Sequence, residues 1–291
     1  MLTTALISGL VLGGTYALVA MGLSLQYGIS RILNLAYGEI IIFAAFGAFV
    51  LFSTLNINPV LAMAVVLPAA FVFGYVIYGF MMQPLVTRSA KRGTLEVDSI
   101  LATFGLMFVL QGVMMAFFGS NYTSYSYLNV GVDVLGVTIA ANRLLAFGLA
   151  MVLGGALFWV LTRTRWGTTV RAIAVAPSSA PLVGIDLNRT ARFAFALGTM
   201  LAASGGVMIS MYQTFTASMG VVFTMKALVI VIMGGLGNLM GALVAGLLLG
   251  VAETLVATYV DPGLTLATTY LVFLAVLLWR PSGLFGKGAG R

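Results

Sequence analysis

The sequence predicts an all-α fold, a polytopic transmembrane helix bundle of eight to nine membrane segments with a short broken or re-entrant element near 225–240. Three observations predict it. Of the 291 residues, 61% are hydrophobic and 7% charged, and the mean hydropathy is +1.12, a composition no water-soluble domain carries. The apolar residues fall in runs long enough to cross a bilayer, parted by short polar connections. The 14 Lys and Arg residues gather in alternate connections, as orientation in a membrane requires. The length leaves little for anything soluble, so 1–291 reads as a single transmembrane domain. Absence of both Cys and His excludes disulfides, thiol nucleophiles, zinc or haem ligation and imidazole acid–base chemistry. The net charge of +7 reads as topological sorting and not as a nucleic-acid surface.

The elements follow in order. Leu2–Leu25 precedes the first charged residue, Arg31, so it lacks the basic start of a cleavable signal and reads as a retained first helix. Asn34–Gly38 interrupts the apolar pattern before a second run, Glu39–Leu55, and Asn56–Pro59 makes a tight uncharged turn. A third run, Val60–Met82, ends at Gln83-Pro84 ahead of Arg88, Lys91 and Arg92. Ile100–Phe118 is the fourth, followed by a stretch with tyrosines at 122, 125 and 127 and few basic residues, which suits the outer side. Leu144–Leu161 is the fifth span and Phe193–Tyr212 the sixth, with the longest basic connection between them. The short run Met225–Met233, the punctuation Gly234–Asn238, the run Leu239–Thr258 and a last span Leu264–Trp279 complete the chain. About nine apolar residues are too few for a full crossing, hence the broken or re-entrant element.

Placing the basic connections inside puts Arg31, Arg88, Lys91, Arg92, Arg163, Arg165, Arg171, Arg189, Arg192, Arg280, Lys287 and Arg291 on one side. Arg143 and Lys226 are the exceptions. Small residues spaced by four let helix backbones approach in lipid. Gly9 with Gly13 fits this spacing, as do Gly237, Gly241 and Ala245, and the adjacent column Ala242, Gly246 and Gly250. Candidate path residues are the polar groups of the spans: Asn34, Glu39, Thr103, Gln111, Lys226 and Glu253. The plain alternatives stand beside them. Glu39 at a helix start favours the macrodipole, Thr103, Gln111 and Gln213 each serve as one interhelical hydrogen bond, and Lys226 reads first as snorkelling to the outer interface. Glu253 lies too deep for lipid exposure and reads as interior packing or a pathway group.

The connection 163–192 is the most distinctive stretch. Trp166–Ala176 reads as a short amphipathic helix stopped by Pro177, and a second short helix follows, capped by Ser178 or Ser179, with Pro181 in its first turn and Gly184 at its left-handed end. Asn188 then caps the next span. Two readings are open, a rigid docking knob for a cytoplasmic partner or a solvated loop anchored by Trp166.

The stretch Ser178-Ser179-Ala180-Pro181-Leu182-Val183-Gly184 resembles the loop by which permease subunits of ABC importers contact their ATPases. It is joined by Arg171-Ala172, Gly184-Ile185-Asp186, Gly14-Thr15-Tyr16-Ala17-Leu18, Asn34-Leu35-Ala36-Tyr37-Gly38-Glu39, Leu101-Ala102-Thr103-Phe104-Gly105-Leu106, and Gly234-Gly235-Leu236-Gly237-Asn238 with Gly241-Ala242. Over nearly the whole chain these are similar to the permease family of branched-chain amino-acid ABC importers, in the short form without an N-terminal extension. The sequence departs from the family pattern at Val175-Ala176, where an acidic or polar residue is usual, and at Tyr37, where a histidine is common.

The resemblance implies a permease domain over the whole chain, with 163–192 as its cytoplasmic coupling loop. Arg171, Ser178, Ser179, Ala180, Pro181, Leu182, Val183, Gly184 and Ile185 would meet the ATPase. It implies as partners a second homologous permease subunit, two cytoplasmic ABC ATPase subunits and a periplasmic substrate-binding protein. It implies a bacterial inner (plasma) membrane location with the N-terminus outside and the C-terminus cytoplasmic. The cargo would be branched-chain amino acids or a related small amino acid or amide. ATP and Mg would sit on the partner ATPases, with no cofactor on this chain and no enzymatic step on the cargo. Consistent with that, Gly286-Lys287 lacks the upstream glycine and the hydroxyl of a P-loop. A secondary carrier or channel for small polar solutes is the alternative.

Overall fold

A computed structural model describes residues 2–88, 92–134, 136–177 and 179–286. Lys91, Ser178, Lys287 and Arg291, all assigned above to the inner side, lie outside the described residues. The order is α1 (Leu2–Ser30), α2 (Tyr37–Leu55), α3 (Pro59–Ile77) running through a π-helical turn (Tyr78–Met82) into α4 (Gln83–Arg88), then α5 (Arg92–Phe118). A hairpin of β1 (Gly131–Val134) and β2 (Val137–Ala140) precedes α6 (Ala141–Arg163) and α7 (Arg165–Val175). A 3-10 turn (Ala180–Val183), α8 (Leu187–Ser210), α9 (Gly220–Gly234), α10 (Leu239–Tyr259), a second 3-10 turn (Pro262–Leu264) and α11 (Thr265–Trp279) complete it.

Among the described residues, 8 helical stretches are long and apolar enough to cross a membrane, and α9 is shorter than these. At 1.5 Å per residue α9 reaches only about 22 Å, short of a hydrocarbon core of about 30 Å. It begins at Gly220, ahead of the apolar run at Met225, because Gly220 and Thr224 are buried in protein. α5 starts earlier than hydropathy suggested, so Glu96 and Asp98 belong to its first turns.

Two helices occupy the middle. The most apolar stretches of α1 and α8 are 72% and 83% buried, against 17%, 22%, 28% and 11% for α3, α5, α6 and α11, which form the periphery. α1 can be central because glycine lets antiparallel neighbours touch it backbone to backbone. A Cβ on Gly13 would stand 2.8 Å from the Cα of Leu247, and one on Gly246 would stand 2.6 Å from the Cα of Ala17. Gly9 meets Gly250 and Val251 in the same seam, and Gly22 meets Gly198 of α8. Lipid gives no hydrophobic drive between helices, so this close approach, with its many dispersion contacts, is what holds the bundle.

The other small residues act differently from a single helix column. Ala245 is fully buried. Gly241 faces Gly234 and closes the α9–α10 hairpin. Gly237 lies before α10, in the turn, at φ +78, where it faces Gly28 at the end of α1.

One local expectation is corrected. The cap of α8 is Asp186, whose Oδ1 accepts from the backbone N–H of Arg189 at 3.0 Å. Asn188 sits inside the helix, because left-handed Gly184 ends the 3-10 turn two residues before the cap. The stretch after α5 is folded against its neighbours. Gly131 pairs with Ala140 in an antiparallel hairpin, Thr123 exchanges backbone hydrogen bonds with Phe215, and Tyr125 shares one with Ser210 Oγ at 2.8 Å. Burial pushes the Tyr125 phenol above its usual range, partly opposed by that bond.

Gly13→Leu should lower the stability of the detergent-solubilised chain by about 1–3 kcal/mol or more, because backbone has to move. Gly105→Leu, at a position with nothing within 4 Å of the added carbon, should leave the thermal midpoint unchanged.

Candidate functional site

Between α1 and α2 the chain leaves helical geometry while buried. Ser30 ends α1 at one end of the bundle and Arg31 takes a left-handed φ of +56. Residues 32–34 have no regular structure, and a turn at 35–36, where Tyr37 N–H meets the Asn34 carbonyl at 3.4 Å, leads into α2. Irregular backbone at membrane depth needs partners for every peptide group. Side chains of α5 and α9, with Asn34 of the segment itself, supply several of them. Thr103 Oγ1 of α5 accepts from the N–H of Leu35 and donates to the carbonyl of Leu33, both at 3.1 Å. Thr224 Oγ1 of α9 donates to the carbonyl of Leu35 at 3.1 Å and accepts from Gly38 N–H at 2.8 Å. Asn34 accepts from Ala36 N–H at 3.1 Å and donates to Gln26 Oε1 of α1, which itself donates through Nε2 to Phe195 and Thr199 of α8.

α2 therefore starts inside the bundle. Tyr37, its first residue, donates to the carbonyl of Val19 at 2.7 Å, halfway along α1. Glu39 is the third residue of α2 and is fully buried. Among the described residues, neither of its carboxyl oxygens has a hydrogen-bond partner. The carboxyl lies against Gly220, the first residue of α9, where any side chain would occupy its place. Glu39 thus sits at the positive ends of two helices, its own and α9. Of the sequence-predicted path residues, Asn34, Thr103 and Glu39 come together here. Gln111 is half-buried, eight residues further along α5.

Lys226 and Glu253 come together elsewhere. Nζ of Lys226 in α9 lies 2.9 Å from Oε1 of Glu253 in α10 and 2.8 Å from the Tyr16 hydroxyl of α1, which donates to Glu253 Oε2 at 3.0 Å. Thr269 of α11 donates to Glu253 Oε1. Lys226 is therefore not a snorkelling residue: its head is 13% exposed and turned inward. Each charge alone would cost about 2.5–3.5 kcal/mol at the centre of a spanning helix, and the attraction within the pair offsets part of that cost. The pair pins the short α9 to α1, α10 and α11. Its signal was in the sequence, since two apolar helices joined by a tight turn each carry one opposite charge.

At the end of the bundle where α1 finishes, α7 packs on α1, α6 and α8. Thr164 caps it by accepting from Gly167 N–H at 3.1 Å, and the ring of Trp166 stands edge-on to Phe193 at 5.4 Å. The 3-10 turn is seated by Ala180, 3% exposed, and projects Leu182 and Val183, 86% and 74% exposed. Pro181 lies in its first turn and Gly184 closes it at φ +78. Ser179 provides no side-chain cap. Arg171 is exposed on α7 beside the turn, and Ile185 is half-buried. The result is an apolar knob on a capped, packed base. Residues that sequence reasoning missed are Gln26, Thr224 and Gly220, whose roles come from partners far away in the chain.

The family described as branched-chain amino acid transport system, permease component, matches residues 5–279. The chain is 28% identical to the high-affinity branched-chain amino acid transport system permease protein BraD of Pseudomonas aeruginosa, over 97% of this chain and 95% of that protein. It is also 28% identical to the permease protein LivH of Escherichia coli K12, over 96% and 94% of the two chains. A probable branched-chain amino acid transport permease of Methanocaldococcus jannaschii is 27% identical over 92% of this chain and 88% of its own length.

Lys226→Met should destabilise the folded chain by about 3–5 kcal/mol, because it strands a buried carboxylate, and Lys226→Met with Glu253→Leu should recover most of the loss. Thermal melting of the single and double variants in detergent measures both. Thr224→Val should cost about 1–3 kcal/mol in the same assay, since Gly38 N–H and the Leu35 carbonyl lose a partner together.

Proposed function

The chain belongs to the family of branched-chain amino acid transport system permease components, and from that premise we propose that it is one membrane-spanning subunit of an ATP-driven importer. Branched-chain amino acids, or a related small amino acid or amide, are the cargo. The observation that carries the reading is the knob of Pro181, Leu182 and Val183, held out from a rigid base. A side chain as large and apolar as Leu182 at 86% exposure, next to the bundle's basic end, suits a protein partner better than water.

The same reading assigns the partners. Two cytoplasmic ATPases hold ATP and Mg, and one of them receives residues 179–185. A second, homologous permease subunit completes the path, and a periplasmic binding protein delivers the cargo. Closure of the ATPases on ATP moves the knob, and the bundle passes between outward and inward access as a rigid-body change. No bond in the cargo is made or broken. Charge supports the orientation: Arg31, Arg88, Arg163, Arg165, Arg189 and Arg280 lie at or next to helix ends and Arg171 within α7, all in connections read as cytoplasmic, which favours an N-terminus outside and a C-terminus in the cytoplasm of an inner (plasma) membrane.

Vesicles carrying the permease pair and its ATPases should accumulate leucine only with ATP inside and binding protein outside. Uptake driven by an ion gradient without ATPases would overturn the reading. Leu182→Asp with Val183→Asp should lower ATP-driven uptake at least tenfold and release the ATPase on purification, with the melting temperature of the permease unchanged because both side chains are exposed.

A further inference from the structure

An apolar groove of about 540 Å³ runs between α10, α11 and the residues that follow α11. Val244, Leu248, Val276 and Leu284 line its apolar part, and Trp279 and Arg280, where α11 stops, stand at its end. Nothing in the transport cycle proposed above uses it.

Hydrogen bonds fix the third wall. The N–H groups of Leu284 and Phe285 donate to the carbonyls of Met233 and Gly234, the last residues of α9, at 2.8 and 3.2 Å. Asn238 Nδ2 donates to the Phe285 carbonyl at 3.0 Å. Gly283 takes φ +84, and a Cβ there would stand 2.7 Å from the backbone nitrogen of Gly235. The chain after α11 is thus strapped across the turn between α9 and α10, and the strap holds Leu284 in the groove.

Length and place fit one leaflet. Val244 and Leu248 lie about one turn apart on α10. Leu248 is the tenth residue of that helix, about 14 Å from its start at 1.5 Å per residue, and one leaflet supplies about half of a 30 Å hydrocarbon core. The most apolar stretch of α11 is only 11% buried, so the groove opens towards lipid.

Charge narrows the choice of occupant. Trp279 is 91% exposed and Arg280 is exposed beside it, an aromatic anchor next to a cation at a membrane interface. Among the described residues the Arg280 guanidinium has no hydrogen-bond or ion-pair partner, and no acid lines the groove. The end of the chain offers nothing to fill it: Gly286, Lys287, Gly288, Ala289, Gly290 and Arg291 add two basic groups and no apolar side chain larger than a methyl. A helix of a second copy would cover the apolar part but supply no anion to the guanidinium unless it carried an acid at that depth. A molecule that is apolar for the depth of one leaflet and anionic at its end satisfies every part.

We propose that the groove between α10 and α11 is a binding site for an anionic phospholipid, with one acyl chain along Val244, Leu248 and Val276 and the phosphate group on Arg280. Bound there, the lipid ties α11, the least buried of the spans, to α10 and to the strap. Such a site needs only a membrane, and neither the cargo nor the protein partners proposed above enter into it.

The test releases the full chain from nanodiscs of equimolar phosphatidylglycerol and phosphatidylcholine with identical acyl chains and counts the retained lipid by native mass spectrometry. The unmodified chain should keep one lipid, phosphatidylglycerol at least fivefold over phosphatidylcholine. Arg280→Gln should bring the two within twofold, whereas Arg143→Gln, at the opposite end of the bundle, should leave the preference as it was. Leu248→Trp, which fills the groove from a position already 47% exposed, should lower retention of both lipids at least fivefold with the melting temperature unchanged. Equal retention of the two lipids by the unmodified chain would overturn the proposal and make the groove ordinary lipid annulus. An undiminished preference in Arg280→Gln would overturn it as well, and this exposed position decides the matter even where Leu248→Trp disturbs folding. Undiminished retention in a folded Leu248→Trp chain has the same meaning. A lipid-free dimer that Leu248→Trp converts to monomer would give the groove to a second copy instead.

Discussion

Thr103 and Thr224 hold the peptide groups of Leu33, Leu35 and Gly38, and much of the molecule depends on that satisfaction. Without water in the interior, a chain can leave helical geometry only where side chains take over its hydrogen bonds. Because these two threonines do so, α2 starts beside the middle of α1, and α9 can stay short with its first residue against Glu39. The glycine seam between α1 and α10 is the complementary device, since it makes room at the centre for α1 to be touched from all sides. Breaks in helices and contacts between backbones are two consequences of one dry interior.

Charge is arranged by the same rule. Away from the bundle's ends, Lys226 and Glu253 neutralise each other among helices α1, α9, α10 and α11. Glu39 is the buried acid without such a partner among the described residues. Towards the end where α1 finishes, Arg192 donates to the Tyr75 carbonyl at 2.9 Å and lies over that tyrosine's ring at 3.8 Å, so a basic side chain of a charged connection is also used in packing. At the end where α1 begins, Arg143 stands apart, its guanidinium 6.0 Å from the centroid of the Tyr212 ring.

The stretch from α7 to α8 shows how far local sequence reaches. Pro177, Pro181 and Gly184 restrict backbone angles within a few residues, and the short helix, the 3-10 turn and its left-handed end all follow from them. The error at Asn188 has the same scale: two capping residues two positions apart compete, and the turn geometry upstream selects Asp186. The polar site was only half legible. Asn34, Glu39 and Thr103 stand out as polar residues in apolar runs, but Gln26, Thr224 and Gly220 matter through partners 169 or more positions away, which spacing along one chain does not reveal.

Composition and periodicity therefore determined the membrane class, the spans, the sorting of charge and the turn around Pro181, because each depends on solvent transfer or on backbone angles that a few adjacent residues set. Tertiary structure alone decided that Lys226 faces Glu253, that Gly237 belongs to a turn while Gly246 and Gly250 belong to a seam, and that Arg280 shares a groove with Val244 and Leu248. Those outcomes depend on how helices rotate and slide against one another. Many weak dispersion contacts and a few buried hydrogen bonds choose among such arrangements, and no single helix carries that information.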